Sequence, residues 1–235
     1  MQCGNRAAAG ELVKMCRVAA SEVLVAAPHD APLREDFLRW TVALPVAVKN
    51  LLRAEPGAAG ELLGVLPPDA IAALLAAPHQ PLHCLLHMRA DCLRIALASP
   101  FDPHLSSALH AGVAASVATL TGAMGAMERI NGTPLPFAYT AHVRALLLAY
   151  LAFVAFALVP PCGWLAVPAL ALLAFALIGT ETAAAECERP FHRRADHLPL
   201  ERYCLVVSDN VAQLLATAAA LTPYRGLTLP SAQAE

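Results

Sequence analysis

The stretch that decides the fold begins at Arg144 and ends at Glu181, and it reads RALLLAYLAFVAFALVPPCGWLAVPALALLAFALIGTE. No charged residue occurs in the 36 positions between its two ends. A helix that crosses a bilayer needs roughly 20 apolar residues, so this run is too long for one crossing and suits two. Residues 160–163, Pro-Pro-Cys-Gly, interrupt the run, because proline removes a backbone donor and glycine permits a turn. We therefore predict one helix from about Thr140 to Val159 and a second from about Trp164 to Thr180.

The charges that flank this hairpin predict how it lies in a membrane. Arg144 precedes it, Arg189, Arg193 and Arg194 follow it, and the turn carries no charge. Positive residues prefer the cytoplasmic side, so both outer ends should face that side and the turn should face away. The alternative is a helical hairpin buried in a large soluble core, which a chain of 235 residues does not easily enclose.

The composition also argues against an ordinary soluble protein. Apolar residues make up 58% of the chain and charged residues 14%, whereas typical globular domains hold about 45–50% and about 25%. The net charge of -2, without a basic stripe, gives no indication of a nucleic-acid partner. The seven cysteines are scattered without a CxxC pair, so we interpret them as mostly reduced, buried small hydrophobic residues rather than as disulfides or a zinc site.

The rest of the chain shows no strand alternation, so the predicted fold class is all-α: a multi-pass helical membrane protein with helices on the cytosolic side. Apolar periodicity predicts helices from about Glu11 to Val25 and from about Arg34 to Arg53, and Pro45 predicts a kink or a short interruption in the second. Another helix begins at Pro67-Pro68-Asp69. The uncharged segment from Leu105 to Met127 is rich in small residues, which favours a closely packed helix at a subunit interface.

Three histidines offer the strongest indication of a metal or enzyme site. His79, His83 and His87 follow each other at intervals of four, which would place three imidazoles on one helix face. Pro81 lies between the first two, however, so we expect His79 to precede the helix and the others to form a partly exposed polar face. The sequence holds no GxSxG, HExxH or phosphate-binding loop, so neither an enzyme nor a metal or cofactor site is predicted.

Carboxylates follow the second predicted span directly. Glu181 and Glu188 are seven residues apart and would share a helical face, whereas Glu186 lies off that face. Acidic groups at a membrane boundary line ion paths or pair with arginine between subunits. The alternative is a solvated turn at the membrane interface.

Three stretches, taken together, resemble the bestrophin family. The first, residues 128–139, is ERINGTPLPFAY and is similar to the family's E-R-I-x-x-T-P-I-P-F-x-Y segment. The second is Gly163-Trp164-Leu165 at the turn. The third is GTETAAAECERPF at 179–191 with DHLPLERYC at 196–204, which resembles the family's G-x-E-E-I-G-x-E-I-E-N-P-F and D-L-P-L-D-x-x-C runs. Weaker similarity at Phe37-Leu38-Arg39-Trp40 and His79-Gln80-Pro81 favours the bacterial and plant-plastid branch.

The resemblance implies a homopentamer with four spanning segments per subunit and one central pore. Family members conduct chloride and bicarbonate, although some bacterial members pass cations. The pore is narrow at a neck in the membrane and at a cytosolic aperture, whose residue corresponds to Leu135 between Pro134 and Pro136. A ring of leucines would form a hydrophobic constriction that ions cross only when it is wetted. The two prolines would fix the backbone that holds Leu135.

Glu128, Glu181 and Glu188 are the candidate residues of the ion path or of contacts between subunits. The sequence departs from the family in two ways. It begins after the family's first spanning segments, so we expect either a piece of a longer channel or a subunit that cannot build a complete pore alone. His192-Arg193-Arg194-Ala195-Asp196 is basic where animal members carry an acidic calcium clasp, so calcium activation is not expected.

These observations predict an integral membrane channel subunit in a thylakoid or bacterial inner membrane. Its predicted partners are the lipid bilayer, identical or paralogous subunits, and chloride or bicarbonate ions. The alternatives are a neckless, non-conducting subunit that modulates longer paralogues and a cation-permeable channel. We divide the chain into a cytosolic or stromal-side helical region with the aperture segment (1–139), a transmembrane hairpin (140–181), and a post-membrane helix with a C-terminal tail (182–235).

Overall fold

The computed structural model describes residues 2–28, 30–57, 59–99, 101–133, 136–186, 191 and 198–221. In these ranges the chain is built from helices joined by short connections, and no strand forms, in agreement with the predicted all-α class. The helices are α1 (Gln2–Ala26), α2 (Ala31–Arg53), α3 (Ala59–Leu62), α4 (Pro68–Ala76), α5 (Gln80–Ala98), α6 (Pro103–Gly132), α7 (Phe137–Cys162), α8 (Ala166–Glu186) and α9 (Leu200–Leu221).

The chain divides into two compact units, and each unit consists of two segments that are separate in the sequence. One comprises Met1–Asn5 with Glu128–Leu198, and the other comprises Arg6–Met127 with Pro199–Glu235. The division predicted from the sequence, into residues 1–139, 140–181 and 182–235, describes instead where the chain enters and leaves a membrane. It stays a prediction.

Helix α2 is the centre of the larger unit. It packs against α5 and α9 and, at its end, against α3. Phe37, Ala43 and Leu44 on α2 are fully buried, as expected for a helix with neighbours on several sides. Asp30 caps its first turn, because its Oδ1 accepts a hydrogen bond from the Leu33 backbone N–H at 3.1 Å.

Of the two outcomes predicted at Pro45, a kink or a short interruption, the interruption does not occur, since α2 is a single helix through that position. Proline removes one backbone donor, and the loss is offset by burial of the neighbouring Leu44 and Val46. The same helix starts slightly earlier than predicted, at Ala31. Tertiary packing, which the local sequence does not show, therefore outweighs the effect of the proline.

The connection from α4 to α5 follows the sequence prediction. Pro68 and Asp69 lie in the first turn of α4. His79 precedes α5 and caps it, because its Nδ1 accepts a hydrogen bond from the Leu82 backbone N–H at 3.2 Å. The prediction that His79 lies outside the helix of His83 and His87 is confirmed.

Helices α1 and α6 are both longer than predicted, and they contact each other. The Ser116 hydroxyl on α6 donates to Glu22 Oε2 on α1 at 2.6 Å. Gly112 lies one turn earlier, and a Cβ added there would lie 3.7 Å from Glu22 Oε1. Small residues of α6 thus lie against α1 of the same chain, and the predicted place of α6 at a subunit interface stays a prediction.

The smaller unit contains the hairpin of α7 and α8. Their boundary differs from the prediction, because α7 continues through Pro160 and Pro161 to Cys162. The prolines form its last turn, and a 3-10 turn over Gly163–Leu165 leads into α8. Gly163 carries the change of direction with φ of 49° and ψ of -129°, a conformation that favours glycine.

Three segments are long and apolar enough to cross a membrane in the part of the chain that the structure describes. They are Pro103–Gly132, Phe137–Ala184 and Leu200–Ala220. Only 6% of the most apolar window in the hairpin is buried, against 33% for the window in α6. The hairpin therefore presents its apolar surface outward, whereas α6 buries a larger part of its apolar window.

Candidate functional site

The predicted aperture segment lies between the end of α6 and the start of α7. Pro134 and Leu135 lie outside the described residues, whereas Pro136 is the residue that precedes α7. The backbone of Pro136 has φ of -56° and ψ of 133°, and its carbonyl accepts a hydrogen bond from the Tyr139 N–H at 2.9 Å. Because the ring holds φ, the chain enters α7 in a defined direction.

The three candidate carboxylates have different surroundings. Glu128 lies near the end of α6 and is half-buried. Glu181 lies in the last two turns of α8. Glu188 lies outside the described residues. The assignment of these residues to an ion path or to subunit contacts stays a prediction.

Glu181 forms an ion pair that the sequence did not reveal. Arg144 on α7 donates from Nε to Glu181 Oε1 at 2.6 Å. The side chain of Arg144 is 58% exposed and that of Glu181 only 19%. The two charges that end the long uncharged run therefore meet across the open end of the hairpin. Their similar sequence distance from the turn could have indicated this pairing.

The position of this pair matches a membrane boundary. Arg144 lies sixteen residues before Pro160, and Glu181 lies sixteen residues after Leu165. At a rise of 1.5 Å per residue, both charges stand about 24 Å from the turn. That distance is close to the ~30 Å thickness of a bilayer's hydrocarbon core. A hairpin that spans a bilayer with its turn at one surface would place Arg144 and Glu181 near the other.

A second ionic cluster, in the larger unit, was not predicted. Lys49 on α2 is 2% exposed, and its Nζ lies 2.5 Å from both carboxylate oxygens of Glu61 on α3. Arg53 pairs through Nη1 with Glu201 on α9, and its Nη2 donates to the second carboxylate oxygen at 3.1 Å. The hydrogen bond to Glu201 raises the pKa of Arg53. Glu201 belongs to the DHLPLERYC run, so one acidic residue of that motif ties α9 to α2.

A cavity of about 330 Å³ adjoins this cluster between α2, α3 and α9. Its walls include Val42, Val46, Val65 and Leu205, and the carboxylates of Glu61 and Glu201 lie at its edge. Both carboxylates are already paired with cations of α2. The cavity therefore contains groups that hold the helices together and offers no catalytic pair.

The histidine row does not converge on one point. His83 and His87 lie against Trp40 of α2, whereas His79 is used as the cap of α5. Within the described ranges, no group of three or more His, Cys, Asp or Glu side chains is arranged to hold a metal ion.

One thiol and one imidazole approach each other, as in a nucleophile and its base. Cys92 Sγ on α5 lies 3.3 Å from His110 Nδ1 on α6. Burial raises the pKa of the Cys92 thiol to about 11, and the nearby Glu22 carboxylate acts in the same direction. A thiol with this pKa is not an effective nucleophile at neutral pH, so this contact packs α5 against α6.

The described cysteines largely fit the predicted role. Cys16, Cys84 and Cys92 are free and buried, Cys204 is partly buried, and Cys162 at the turn is exposed. Burial raises the pKa of Cys16 and of Cys84 to about 12. Three of them therefore behave as small hydrophobic residues, and Cys162 is the exception.

Comparisons with known proteins agree on one family. A family profile described as "Bacterial/Fungal Bestrophin protein" matches residues 3–213. A protein of Synechocystis, named a voltage-dependent anion channel-forming protein, is 33% identical over 99 residues, or 42% of this chain and 32% of its own length. YneE of Salmonella typhi, with the same descriptive name, is 26% identical over 206 residues, which cover 87% of this chain and 66% of YneE.

The fold is also that of solved structures. The structure of a bestrophin homologue from Klebsiella pneumoniae matches with a TM-score of 0.83 at 20% identity, covering 91% of this chain and 78% of that one. A second structure, of a membrane protein, matches with a TM-score of 0.84 at 21% identity over 92% of this chain and 78% of its own. The chain thus spans at most about two thirds of the length of the anion channel-forming relatives described above.

Proposed function

We propose that this chain, which belongs to the bacterial and fungal bestrophin family, is a subunit of a membrane channel that passes chloride or bicarbonate. The observation that carries the proposal is the α7–α8 hairpin. Its apolar surface is almost entirely exposed, and its two bounding charges neutralise each other at one end. A surface of this kind requires lipid or other subunits. The relatives described above are named anion channel-forming proteins, which supports the transport of anions.

Transport through such a channel would be passive. Ions would move down their gradient, and five copies of Leu135 would form a hydrophobic constriction in a pentamer. Pro136 supports this proposal because it fixes the backbone at the start of α7. Pro134 would do the same on the other side of Leu135.

The three carboxylates would act differently from one another. Glu181 already accepts a hydrogen bond from Arg144 in the same chain, so it would take part as half of an ion pair rather than as a bare carboxylate. Glu128 and Glu188 would line the ion path or pair with arginines of neighbouring subunits. Chloride, bicarbonate and the pentamer are all part of this proposal.

Purified protein reconstituted into planar bilayers tests the proposal. We expect currents whose reversal potential follows the chloride gradient, and a larger conductance or altered selectivity for Leu135→Ala, because alanine widens and wets the constriction. Leu172→Ala is the matched control, since Leu172 is an exposed leucine of α8. Currents that reverse with the cation gradient would instead support the cation-permeable alternative.

A chain that forms no channel alone gives a different result in the same experiment. If the protein is silent but co-purifies with a longer paralogue and changes that paralogue's current, the modulating-subunit alternative holds. A conducting pentamer whose current is the same with Leu135→Ala would remove the aperture assignment and leave the channel function intact.

A further inference from the structure

Three aromatic rings meet at the contact between α2 and α5. Trp40 on α2 stacks on His87, with 4.2 Å between ring centroids and 13° between ring planes. The same indole meets His83 edge-on at 5.7 Å. The two imidazoles lie 4.7 Å apart, centroid to centroid. Trp40 is buried, and α2 packs against α5.

Two buried polar atoms beside these rings have no hydrogen-bond partner among the described residues. They are His83 Nε2 and Asp91 Oδ2. Asp91 lies one turn beyond His87 on α5, and its other oxygen accepts a hydrogen bond from Arg94 Nη1 at 3.1 Å. Buried polar groups are nearly always paired, so these two atoms of α5, one in the ring cluster and one a turn beyond His87, are exceptions.

The charged surroundings of His87 disfavour a further positive charge. Burial lowers its pKa, and His83 and then Arg94 act in the same direction. On the facing helix, Asp36 acts on Asp91, whereas Glu35 and Arg39 pair with each other at 3.7 Å. The other helices that contact α5 contribute Asp69 in the first turn of α4 and His110 of α6, which contacts Cys92.

We propose that the Trp40–His83–His87 ring cluster is a proton-sensitive contact, which holds α5 against α2 while both imidazoles are neutral and weakens when they are protonated. Neutral imidazole rings stack on an indole as ordinary aromatic surfaces. Two imidazolium ions 4.7 Å apart repel each other, and both rings are partly withdrawn from water, which disfavours their charged forms. Histidine is the side chain whose charge changes near neutral pH, so acidification of the surrounding solution is the signal.

A cation–π attraction between an imidazolium and Trp40 acts against this effect. It would keep the stack together and raise the pH at which His87 takes up a proton. Burial, His83 and Arg94 all act the other way. If burial and the two neighbouring charges dominate, as proposed, the protonation midpoint lies below the ordinary histidine pKa of about 6.5. If the cation–π attraction dominates, the midpoint lies above it.

Tryptophan fluorescence measures this midpoint directly. The chain has two tryptophans, and Trp164 is 91% exposed at the turn of the hairpin. Trp164→Phe leaves Trp40 as the single reporter in the full chain in detergent. Because imidazolium quenches a stacked indole, we expect Trp40 emission to fall on acidification with a midpoint below about 6.5. His87→Gln should abolish most of the change, and His83→Gln should move the midpoint upward by removing a neighbouring charge.

His142→Gln is the matched control, because His142 is an exposed histidine of α7 and should leave the titration unchanged. Hydrogen exchange of α5 amides, corrected for the intrinsic pH dependence, should rise below the midpoint while far-ultraviolet circular dichroism stays constant. A midpoint above 6.5, emission that does not change with pH, or unchanged α5 protection would each overturn the proposal. None of these readouts depends on whether the chain conducts ions.

Discussion

Asp91 is a carboxyl group whose burial makes its charged form unfavourable. Burial raises the pKa of this carboxyl to about 6, and the Asp36 charge adds to the effect although Arg94 opposes it. A carboxyl whose pKa is higher in the folded than in the unfolded state stabilises the fold fully below the unfolded pKa of 3.8. This contribution is lost as the pH rises through about 6. At neutral pH the fold therefore carries a buried negative charge with one unpaired oxygen.

Replacing Asp91 by asparagine tests this account at the scale of one residue. Asp91→Asn keeps an acceptor for Arg94 and removes the charge, so we expect about 1 kcal/mol of added stability at about pH 8. The gain should be absent at about pH 5, where Asp91 itself is protonated. Thermal unfolding in detergent at the two pH values measures the difference. A gain of equal size at both would mean that packing, not charge, is responsible.

The pH dependence of His87 has the opposite sign. Burial, His83 and Arg94 lower its pKa, so its stabilising contribution is present above the ordinary pKa and is lost on acidification. The Asp91 contribution is lost in the alkaline direction. Acidification therefore charges His87 and alkalinisation charges Asp91, so the two titrations act on the α2–α5 contact from opposite directions.

At the scale of helices, the Arg144–Glu181 ion pair closes the end of the hairpin that the chain leaves open. The turn at Gly163 joins α7 and α8 at one end, and the ion pair joins them at the other. An exposed ion pair in water contributes ~0–1 kcal/mol. Near the hydrocarbon of a membrane the same pair is screened less and is therefore stronger.

A double-mutant cycle measures this coupling. We expect Arg144→Ala and Glu181→Ala to lower the thermal stability of the protein in lipid nanodiscs, and the double variant to lose less than the sum of the two losses, by about 1 kcal/mol. Exchanging the two residues, Arg144→Glu with Glu181→Arg, should recover part of the stability. The pair Lys14 and Glu11, solvent-exposed on α1, provides the control in which no coupling above ~0.5 kcal/mol is expected. Additive losses at Arg144 and Glu181 would show that the pair does not join the helices.

The helices that could be predicted from the sequence are those with a local signal. The two spans, the start of α4 and the position of His79 before α5 each depend on residues next to one another, such as Pro81 or Asp69. The end of α7 could not be placed, because Pro160 and Pro161 are compatible with a last helical turn as well as with a break. The conformation of Gly163, which ends α7 after Cys162, shows that the two prolines belong to the last helical turn.

The contacts between distant residues could not be predicted from one sequence. Arg53 and Glu201 are 148 positions apart, and no local pattern relates them. Trp40 and His87 likewise meet only because α2 packs against α5. Sequence reasoning recognised the histidines as a helix face but not the tryptophan that covers it. For the aperture the sequence motif remains the source of the prediction, since Leu135 lies outside the described residues.

At the scale of the whole molecule, the orientation of the hairpin in the membrane is open to a direct test. Arginines flank the hairpin and none lies in its turn, so the turn should face away from the cytoplasmic side. Cys162 lies in that turn and is exposed, whereas Cys16, Cys84 and Cys92 are buried. The chain therefore carries a natural chemical reporter at the position where the two orientations differ.

Labelling with a membrane-impermeant maleimide uses this reporter. In intact cells that carry the protein in their plasma membrane, we expect the reagent to label the chain, and Cys162→Ser to abolish most of the labelling. Cys3 and Cys187 are replaced by serine in both proteins, so that any signal that remains after Cys162→Ser comes from Cys16, Cys84, Cys92 or Cys204. Cys16, Cys84 and Cys92 are buried and Cys204 is partly buried, so we expect these four to label more slowly than Cys162, because a thiol must reach water and ionise before it reacts. Labelling of Cys162 only after the cells are opened would place the turn on the cytoplasmic side and reverse the predicted orientation.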